Sequence, residues 1–337
     1  MKVLVTGGGG FLGGAVCAQL VARGDTVRSF GRSPRRALAR LGVEEHLGDL
    51  RDADAVAKAV DGRDAVIHCA AKAGVWGPAR DYIGVNLTGT AHVVAACRAK
   101  GVGALVLSSS PAVVHDRADL EGADESLPYA TRFLAPYPRS KALAEQLVLR
   151  ADSADLATVA LRPHIIWGPG DPHFLPRLAE QARRGRLRRI GRATKKIDTV
   201  YIDNAAEAHV LALDRLEPGT PAAGRAYFIT QDDPRPVGET IDLLLGAAGV
   251  GPVTRELPAW ACRALAAGLE SGGRALGTGE PPLTRFLVNQ LTTAHWFDIT
   301  AAKRDLGYVP RVGTEEGLRR LRAAHEVPAG RPEREAW

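Results

Sequence analysis

Tyr137-Pro138-Arg139-Ser140-Lys141 sets a phenol and an amine four residues apart, a spacing that puts both on one face of a helix about one turn apart. A phenol with a pKa of about 10 exchanges protons poorly near neutrality, and a neighbouring ammonium that favours the phenolate lowers that value. Tyr137 is therefore expected to donate a proton, with Lys141 tuning it. Upstream, the apolar run Ala104 to Leu107 ends in Ser108-Ser109-Ser110. Ser110 is expected to hydrogen-bond a substrate oxygen, and Ser109 competes for that role.

A second chemistry lies at the start of the chain, where Thr6-Gly7-Gly8-Gly9-Gly10-Phe11-Leu12-Gly13 follows an apolar run and opens a helical pattern. The G-x-x-G-x-x-G spacing in that context suits a turn that cradles a pyrophosphate. Gly7 permits the tight turn, Gly10 the close approach of backbone to phosphate, and Gly13 close helix–sheet packing; the helix that begins at Phe11 and Leu12 supplies N–H donors and positive potential. An acid at the end of the second strand would bind the adenosine ribose hydroxyls and repel a 2′-phosphate. Phe30-Gly31-Arg32 stands there instead, with Arg35 and Arg36 beyond, so the expected cofactor is NADP(H), with Arg32 as main 2′-phosphate ligand and Arg36 beside it. Asp49 and Leu50 are expected at the adenine, with capping of the next helix as the rival role for Asp49.

Those groups need a framework, and 337 residues correspond to about two domains at roughly 150 residues each. With 44 basic against 38 acidic residues, 45% hydrophobic and 24% charged, the composition is globular rather than disordered. Cys17, Cys69, Cys97 and Cys262 are far apart without a CxxC pair, and no histidine pair has metal-ligand spacing, so neither a disulfide framework nor a metal site is expected. Reduced cysteines, with no export signal read at the N-terminus, point to a cytoplasmic location. Basic clusters occur without a nucleic-acid-binding module, so no nucleic-acid partner is expected. No apolar stretch reaches membrane-spanning length, and Leu257 to Leu269 reads as an amphipathic packing helix.

Candidate strands at Val3–Thr6, Thr26–Phe30, Glu44–Gly48, Ala65–Cys69, Ala104–Ser108 and Ala157–Leu161 alternate with helical patterns at Phe11–Arg23, Ala53–Val60, Asn86–Lys100 and Tyr137–Ala151. That rhythm predicts an α/β fold with a doubly wound parallel sheet. Arg225–Thr230 is a candidate further strand. The expected division is a dinucleotide-binding domain over 1–165 plus 196–230, and a smaller, discontinuous, mostly helical substrate domain over 166–195 plus 231–325. A flexible tail is expected over 326–337.

The glycine turn, the serine-ended strand and Tyr137-x-x-x-Lys141 together resemble the extended short-chain dehydrogenases/reductases, which carry a Rossmann domain. His68-Cys69-Ala70-Ala71, Asn86-Leu87-Thr88-Gly89-Thr90, Leu161-Arg162-Pro163 and Tyr201-Ile202-Asp203-Asn204 extend the likeness over nearly the whole chain. The resemblance implies that Tyr137 is the acid, Lys141 its partner and Ser110 the carbonyl ligand, with Ala70, Ala71 and Pro163 on the nicotinamide side. Cys69 to Gly77, Ser110-Pro111, Ile166 to Asp171 and Pro281 to Phe286 look like the 3β-hydroxysteroid dehydrogenase-like branch, and within it like bacterial 2-alkyl-3-oxoalkanoate reductases of olefin and β-lactone biosynthesis. That likeness implies NADPH-dependent reduction of the 3-keto group of a long-chain 2-alkyl-3-oxoalkanoic acid. It also implies a homodimer and association with a β-lactone synthetase. The serine run at Ser110 stands where some relatives carry threonine.

Trp76, Phe133, Trp167, Phe174, Leu283 and Phe286 are expected to give the apolar lining that an alkyl substrate needs. His115, His164 and His173 are candidates for a polar head group, with plain packing as the alternative. Three rivals stay open: a sterol-type 3β-hydroxy dehydrogenase, a nucleotide-sugar epimerase or dehydratase, and an NADP-binding redox sensor without turnover. Arg32 weighs against a tightly NAD-bound epimerase, and the intact Tyr137 and Lys141 weigh against the sensor.

Overall fold

The computed structural model describes residues 1–172, 174–277 and 279–326. The first half runs β1 (Lys2–Thr6), α1 (Phe11–Ala22), β2 (Thr26–Gly31), α2 (Arg36–Arg40), β3 (Glu44–Leu47), α3 (Ala53–Val60), β4 (Ala65–His68), α4 (Ala79–Tyr82), a π-helical turn (Ile83–Thr88), α5 (Gly89–Lys100), β5 (Ala104–Ser108), β6 (Leu120–Ala123), α6 (Pro136–Leu149) and β7 (Ala157–Pro163). Next come β8 (Ile166–Trp167), α7 (Phe174–Arg183), β9 (Arg189–Ile190), β10 (Lys196–Ile197), β11 (Val200–Tyr201), α8 (Ile202–Asp214) and β12 (Arg225–Ile229). The chain continues through β13 (Arg235–Pro236), α9 (Val237–Ala247), β14 (Glu256–Leu257), α10 (Ala259–Leu276), α11 (Arg285–Thr292), β15 (His295–Phe297) and α12 (Thr314–Glu326).

Seven strands form one parallel sheet in the order β12-β7-β5-β4-β1-β2-β3. Strands covered on both faces must be apolar on both, and alternate residues of one strand serve different cores. Val3, Val5, Ile67 and Val106 pack into one cluster, while Leu4, Val66, Leu105 and Leu107 pack into the cluster on the opposite face. The order reverses between β1 and β4, which opens a crevice at the C-terminal strand ends, the place where such sheets bind ligands. This is the doubly wound Rossmann fold expected from the alternating pattern, with Arg225–Ile229 at its edge.

Beyond the main sheet the chain is not simply helical: a four-stranded sheet runs β13-β10-β15-β6. β6 comes from the connection between Ser110 and Tyr137 and pairs with β15 through Leu120–His295 and Glu121–Trp296. Gly122, at φ 65°, lies under the Trp296 ring, which a Cβ would approach to 2.8 Å. Strands this short carry no alternation that a sequence pattern could register. The expected tail lies beyond the described residues apart from Glu326. In α10 the buried positions are Cys262, Ala266, Glu270 and Gly273, while Trp260 and Leu265 are 73% and 54% exposed. Among the described residues no helix is long and apolar enough to cross a membrane.

Candidate active site

A groove of about 570 Å³ follows the C-terminal ends of β1, β2, β3 and β4. Its floor is the glycine turn. Gly7, at φ 72°, donates to the Phe30 carbonyl at 2.7 Å, and Gly10 donates back to the Gly7 carbonyl at 2.8 Å. A Cβ on Gly7 would come within 2.8 Å of Ala70 Cα, and one on Gly13 within 2.7 Å of the Gly7 carbonyl carbon. Only glycine fits at either place. Gly10 caps α1 without any side-chain hydrogen bond, so the first N–H groups of that helix stay available to an anion. Phe11 and Leu12 form the first turn of α1 and pack, half-buried, against the core. These features fit the pyrophosphate of a dinucleotide.

Beyond Gly31, whose missing side chain would meet nothing within 4 Å, Arg32, Ser33 and Arg35 line the groove together with Glu45, Asp49 and Leu50. Arg36, expected beside Arg32, is exposed and outside the lining, because α2 begins at Arg36 and leaves Arg35, its N-cap, on the groove side. The Arg35 chain lies over the turn, where a Cβ on Gly9 would meet its Cγ at 2.7 Å. Asp49 does not cap the next helix; Asp52 does, accepting from the Asp54 and Ala55 amides. The two oxygens of Asp49 take Arg51 Nε and Nη2 at 3.0 and 2.7 Å, and those bonds hold its carboxyl down at about 2. Leu50 is buried against Gly89.

The segment after β4 forms the other wall, with Cys69, Ala70, Ala71 and Lys72 in the lining. A chain of hydrogen bonds fixes it. The Ala70 amide donates to Thr6 Oγ1, Thr6 meets His68 Nδ1 at 2.6 Å, His68 Nε2 meets Thr90 Oγ1 at 3.0 Å, and Thr90 donates to the Asn86 carbonyl. Thr90 gives its proton to Asn86, so it accepts from His68 Nε2–H, and Nδ1 accepts from Thr6. Burial keeps His68 neutral, with its pKa pushed down to about 3. Asn86 itself brackets Lys72, accepting from its amide and donating to its carbonyl, and also donates to Ser140 Oγ at 2.9 Å. Sequence reasoning quoted the Asn86-Leu87-Thr88-Gly89 run without giving Asn86 a role; its signal was that motif. Cys69 and Lys72 as groove residues were missed too, although both adjoin Ala70–Ala71.

Tyr137 and Lys141 occupy the first turns of α6, which packs its buried face, including Ser140, Lys141 and Glu145, toward the sheet. Ser110 Oγ accepts from the Ala112 amide at 3.2 Å and lies close enough to the Tyr137 phenol to favour its ionised form. Ser109 is turned inward: its amide donates to the Leu161 carbonyl, and its Oγ is buried without a partner. Lys141 Nζ is buried and donates to the Ser108 carbonyl at 2.5 Å. Burial lowers Lys141 to about 8 against the pull of Glu145 and Cys69. Burial raises Tyr137 above its ordinary value, and the nearby Ser110 hydroxyl opposes it. Lys141, expected to tune the phenol, donates one hydrogen bond to a strand-end carbonyl, and desolvation is the larger influence on Tyr137. Pro163 is buried at the end of β7, paired with Ile229.

The residues expected at the substrate separate. Trp76 lies in the loop after β4, under the Arg274 guanidinium at 5.4 Å, and its carbonyl accepts from the Tyr82 hydroxyl. Phe133 lines a concavity next to Tyr137, Phe286 is half-buried in α11, Leu283 packs beside the Cys262 cluster, and Phe174 opens α7 on the surface. Trp167 is core instead: 1% exposed, edge-on to Tyr201, with Nε1 donating to Thr199 Oγ1 at 3.0 Å. An aromatic next to a turn has no sequence mark that separates core from pocket. His115 and His164 are buried with His295, His164 Nε2 meeting His295 Nδ1 at 2.8 Å; His173 lies outside the described residues. Among the described residues no cluster of His, Cys, Asp and Glu is arranged to hold a metal ion.

The sequence profile of the 3-beta hydroxysteroid dehydrogenase/isomerase family matches residues 4–252. The chain is 52% identical over 328 residues to the 2-alkyl-3-oxoalkanoate reductase of Stenotrophomonas maltophilia (strain K279a), covering 96% of this chain and 99% of that protein. It is 46% identical to the Shewanella oneidensis protein of the same name, covering 95% and 85%. Among solved structures, the Thermus thermophilus UDP-glucose 4-epimerase complex with NAD superposes with a TM-score of 0.72 at 28% identity, covering 96% of this chain and 98% of that one.

Proposed function

The chain belongs to the 3-beta hydroxysteroid dehydrogenase/isomerase family and is an oxidoreductase, and on that premise we propose that it reduces the 3-keto group of a 2-alkyl-3-oxoalkanoic acid to the 3-hydroxy acid with NADPH. The observation that carries the reading is the placement of the Ser110 hydroxyl near the Tyr137 phenol, one helical turn from the buried Lys141, in a chain half identical, end to end, to a reductase of that name. When bound, the reduced nicotinamide supplies the two electrons for the carbonyl carbon. Tyr137 Oη gives the proton to the carbonyl oxygen. Its raised pKa keeps the phenol protonated at neutral pH, as a donor must be. Ser110 Oγ hydrogen-bonds the same oxygen while charge develops there. Lys141 holds its charge at the end of β5 and orients the cofactor ribose.

Arg32 and Arg35 in the groove support a cofactor with a 2′-phosphate, since guanidinium forks bind phosphate in place of the acid that would repel it. They also weigh against an epimerase that keeps NAD. A cytoplasmic location, a homodimer and hand-over of the product to a β-lactone synthetase belong to the same reading. The test is turnover of NADPH or NADP⁺ against 2-alkyl-3-keto acids, their 3-hydroxy products, sterols and nucleotide sugars, with Tyr137→Phe as control. Turnover confined to the acids, lowered about 10²–10⁴-fold in the variant, is the expected result; turnover of sugars alone would overturn the substrate class.

A further inference from the structure

Lys141 is a cation taken out of water, and among the described residues one of its three N–H donors has an acceptor, the Ser108 carbonyl. An ammonium at such a depth keeps its proton only with a compensating charge at hand. Most of the groups that act on it from neighbouring segments carry none at neutral pH. Cys69, just beyond β4, is a thiol that burial pushes up to about 12, and His68 of β4 and His209 of α8 are rings that burial keeps neutral. Tyr137, one turn earlier in α6, stays a phenol. The charge left is Glu145, one turn later on the same helix face and fully buried.

That carboxylate is built into a junction of three segments. Its Oε1 accepts from Tyr129 Oη at 2.9 Å, from Arg162 Nη2 at 2.6 Å and from Arg162 Nε at 3.1 Å, whereas Oε2 takes only the longer branch of the Nε bond at 3.2 Å. Tyr129 belongs to the connection that runs from Ser110 to Tyr137, and Arg162 stands in β7 one residue before Pro163. The Arg162 guanidinium lies between the rings of Tyr129 and Phe228, 5.7 and 5.1 Å from their centres, and its Nη1 is buried without a partner. Two cations, Arg162 in contact and Lys141 one turn away, thus share one buried acid. A buried ion pair adds little stability over well-packed apolar side chains, so joining α6 to β7 does not account for a carboxylate here. The lysine one turn away does.

We infer that Glu145 is a positioning residue of the reaction: its buried negative charge keeps the Lys141 ammonium charged at the end of β5, and Arg162 and Tyr129 fix that charge in place. The inference rests on the reductase reading above. Attraction between groups one helical turn apart opposes the desolvation that lowers Lys141 to about 8. Without it the amine loses its proton near neutrality, and the cofactor ribose loses a charged donor.

The test reads the lysine itself. The pKa of Lys141 is followed through the ¹³Cε shift of labelled lysine in the full-length, NADP⁺-loaded protein, with the resonance assigned by K141R. The wild type is compared with E145Q, R162M, E145Q/R162M and Y129F, and kcat/KM for keto-acid reduction is measured over the same pH range. E145Q is expected to lower the Lys141 pKa by about one pH unit or more and to carry the descending limb of kcat/KM down with it. Y129F removes one hydrogen bond, keeps the charge and leaves both in place. R162M keeps the carboxylate and lowers neither, although its unfolding midpoint falls as that of E145Q does. E145Q leaves Arg162 buried and unpaired, so the double variant, which removes both charges, repeats the measurement in a chain without that penalty. In the wild type the Glu145 ¹³Cδ shift is expected to step at the Lys141 pKa. A flat Glu145 trace, an unmoved Lys141 pKa in E145Q or the double variant, or an equal fall in R162M would assign Glu145 to the fold alone and overturn the inference. A resonance that moves while the limb stays put overturns it too. A moved resonance in a chain that turns over no keto acid sinks the reductase reading and leaves the link between Glu145 and Lys141 standing.

Discussion

Replacing Gly13 by alanine tests whether the glycine turn is built for close approach or is merely flexible. An added Cβ would sit 2.7 Å from the Gly7 carbonyl carbon and 3.0 Å from Gly8 Cα, and closer still to the Gly7 oxygen. Ordinary carbon contacts lie near 3.5–4.0 Å, so α1 must back away from the turn by roughly 1 Å. The turn cannot yield in its place, because Gly7 and Gly10 are tied by hydrogen bonds of 2.7 and 2.8 Å. Overpacking of this kind costs about 1–3 kcal/mol, and the shift carries the helix N-terminal donors away from the phosphates. NADPH affinity, followed by cofactor fluorescence, is expected to fall about fivefold to 150-fold at ~1.4 kcal/mol per tenfold, with a lower unfolding midpoint. Gly103→Ala, at a position with open space, is the control. An affinity within twofold of wild type and an unmoved midpoint would refute the packing argument.

Lys141, lowered to about 8 by burial, is expected to set a descending limb in kcat/KM for reduction above that pH, about tenfold per unit; a flat profile to pH 10 would remove the ammonium from the mechanism. Gly31→Asp places an acid among Arg32, Arg35 and Asp49, and the NADPH-over-NADH ratio of kcat/KM should drop by roughly tenfold or more. An unchanged ratio would contradict the assigned phosphate site. Acid should destabilise the fold through its buried neutral histidines: His68, His115 and His209 sit at about 3, 4 and 4, below the unfolded value of about 6.5. The unfolded chain then binds more protons, so stability is intact above pH ~6.5 and each group withdraws about 2 kcal/mol by pH 5. Urea unfolding at pH 7.5 and pH 5 measures the difference, and a total change below about 2 kcal/mol would show that these rings are protonated in the native state.

What could be read from the residues was what is encoded over short distances. The central strands β1, β4 and β5 are short, mostly apolar runs, the glycine turn is one contiguous segment, and Tyr137 and Lys141 announce their shared face by spacing alone. Features that failed to show depend on phase or on long range. Arg35 rather than Arg36 lines the groove because it is the N-cap of α2, which begins at Arg36. The rings of His115, His164 and His295 meet only because β15 reaches the ends of strands far earlier in the chain. Trp167 and Phe133 are both aromatics near turns, yet one is core and the other faces a recess, a difference decided by which elements close over them.

The pairing of β6 with β15 has an engineering corollary. Because the stretch that joins serine to tyrosine is stitched into the C-terminal layer, a chimera that swaps only the region after β7 would mate a foreign strand with a native one. Recombination between relatives of different substrate range should therefore transplant 111–135 together with the later segments. Crossovers placed inside that stretch should give folded halves that no longer align their catalytic groups.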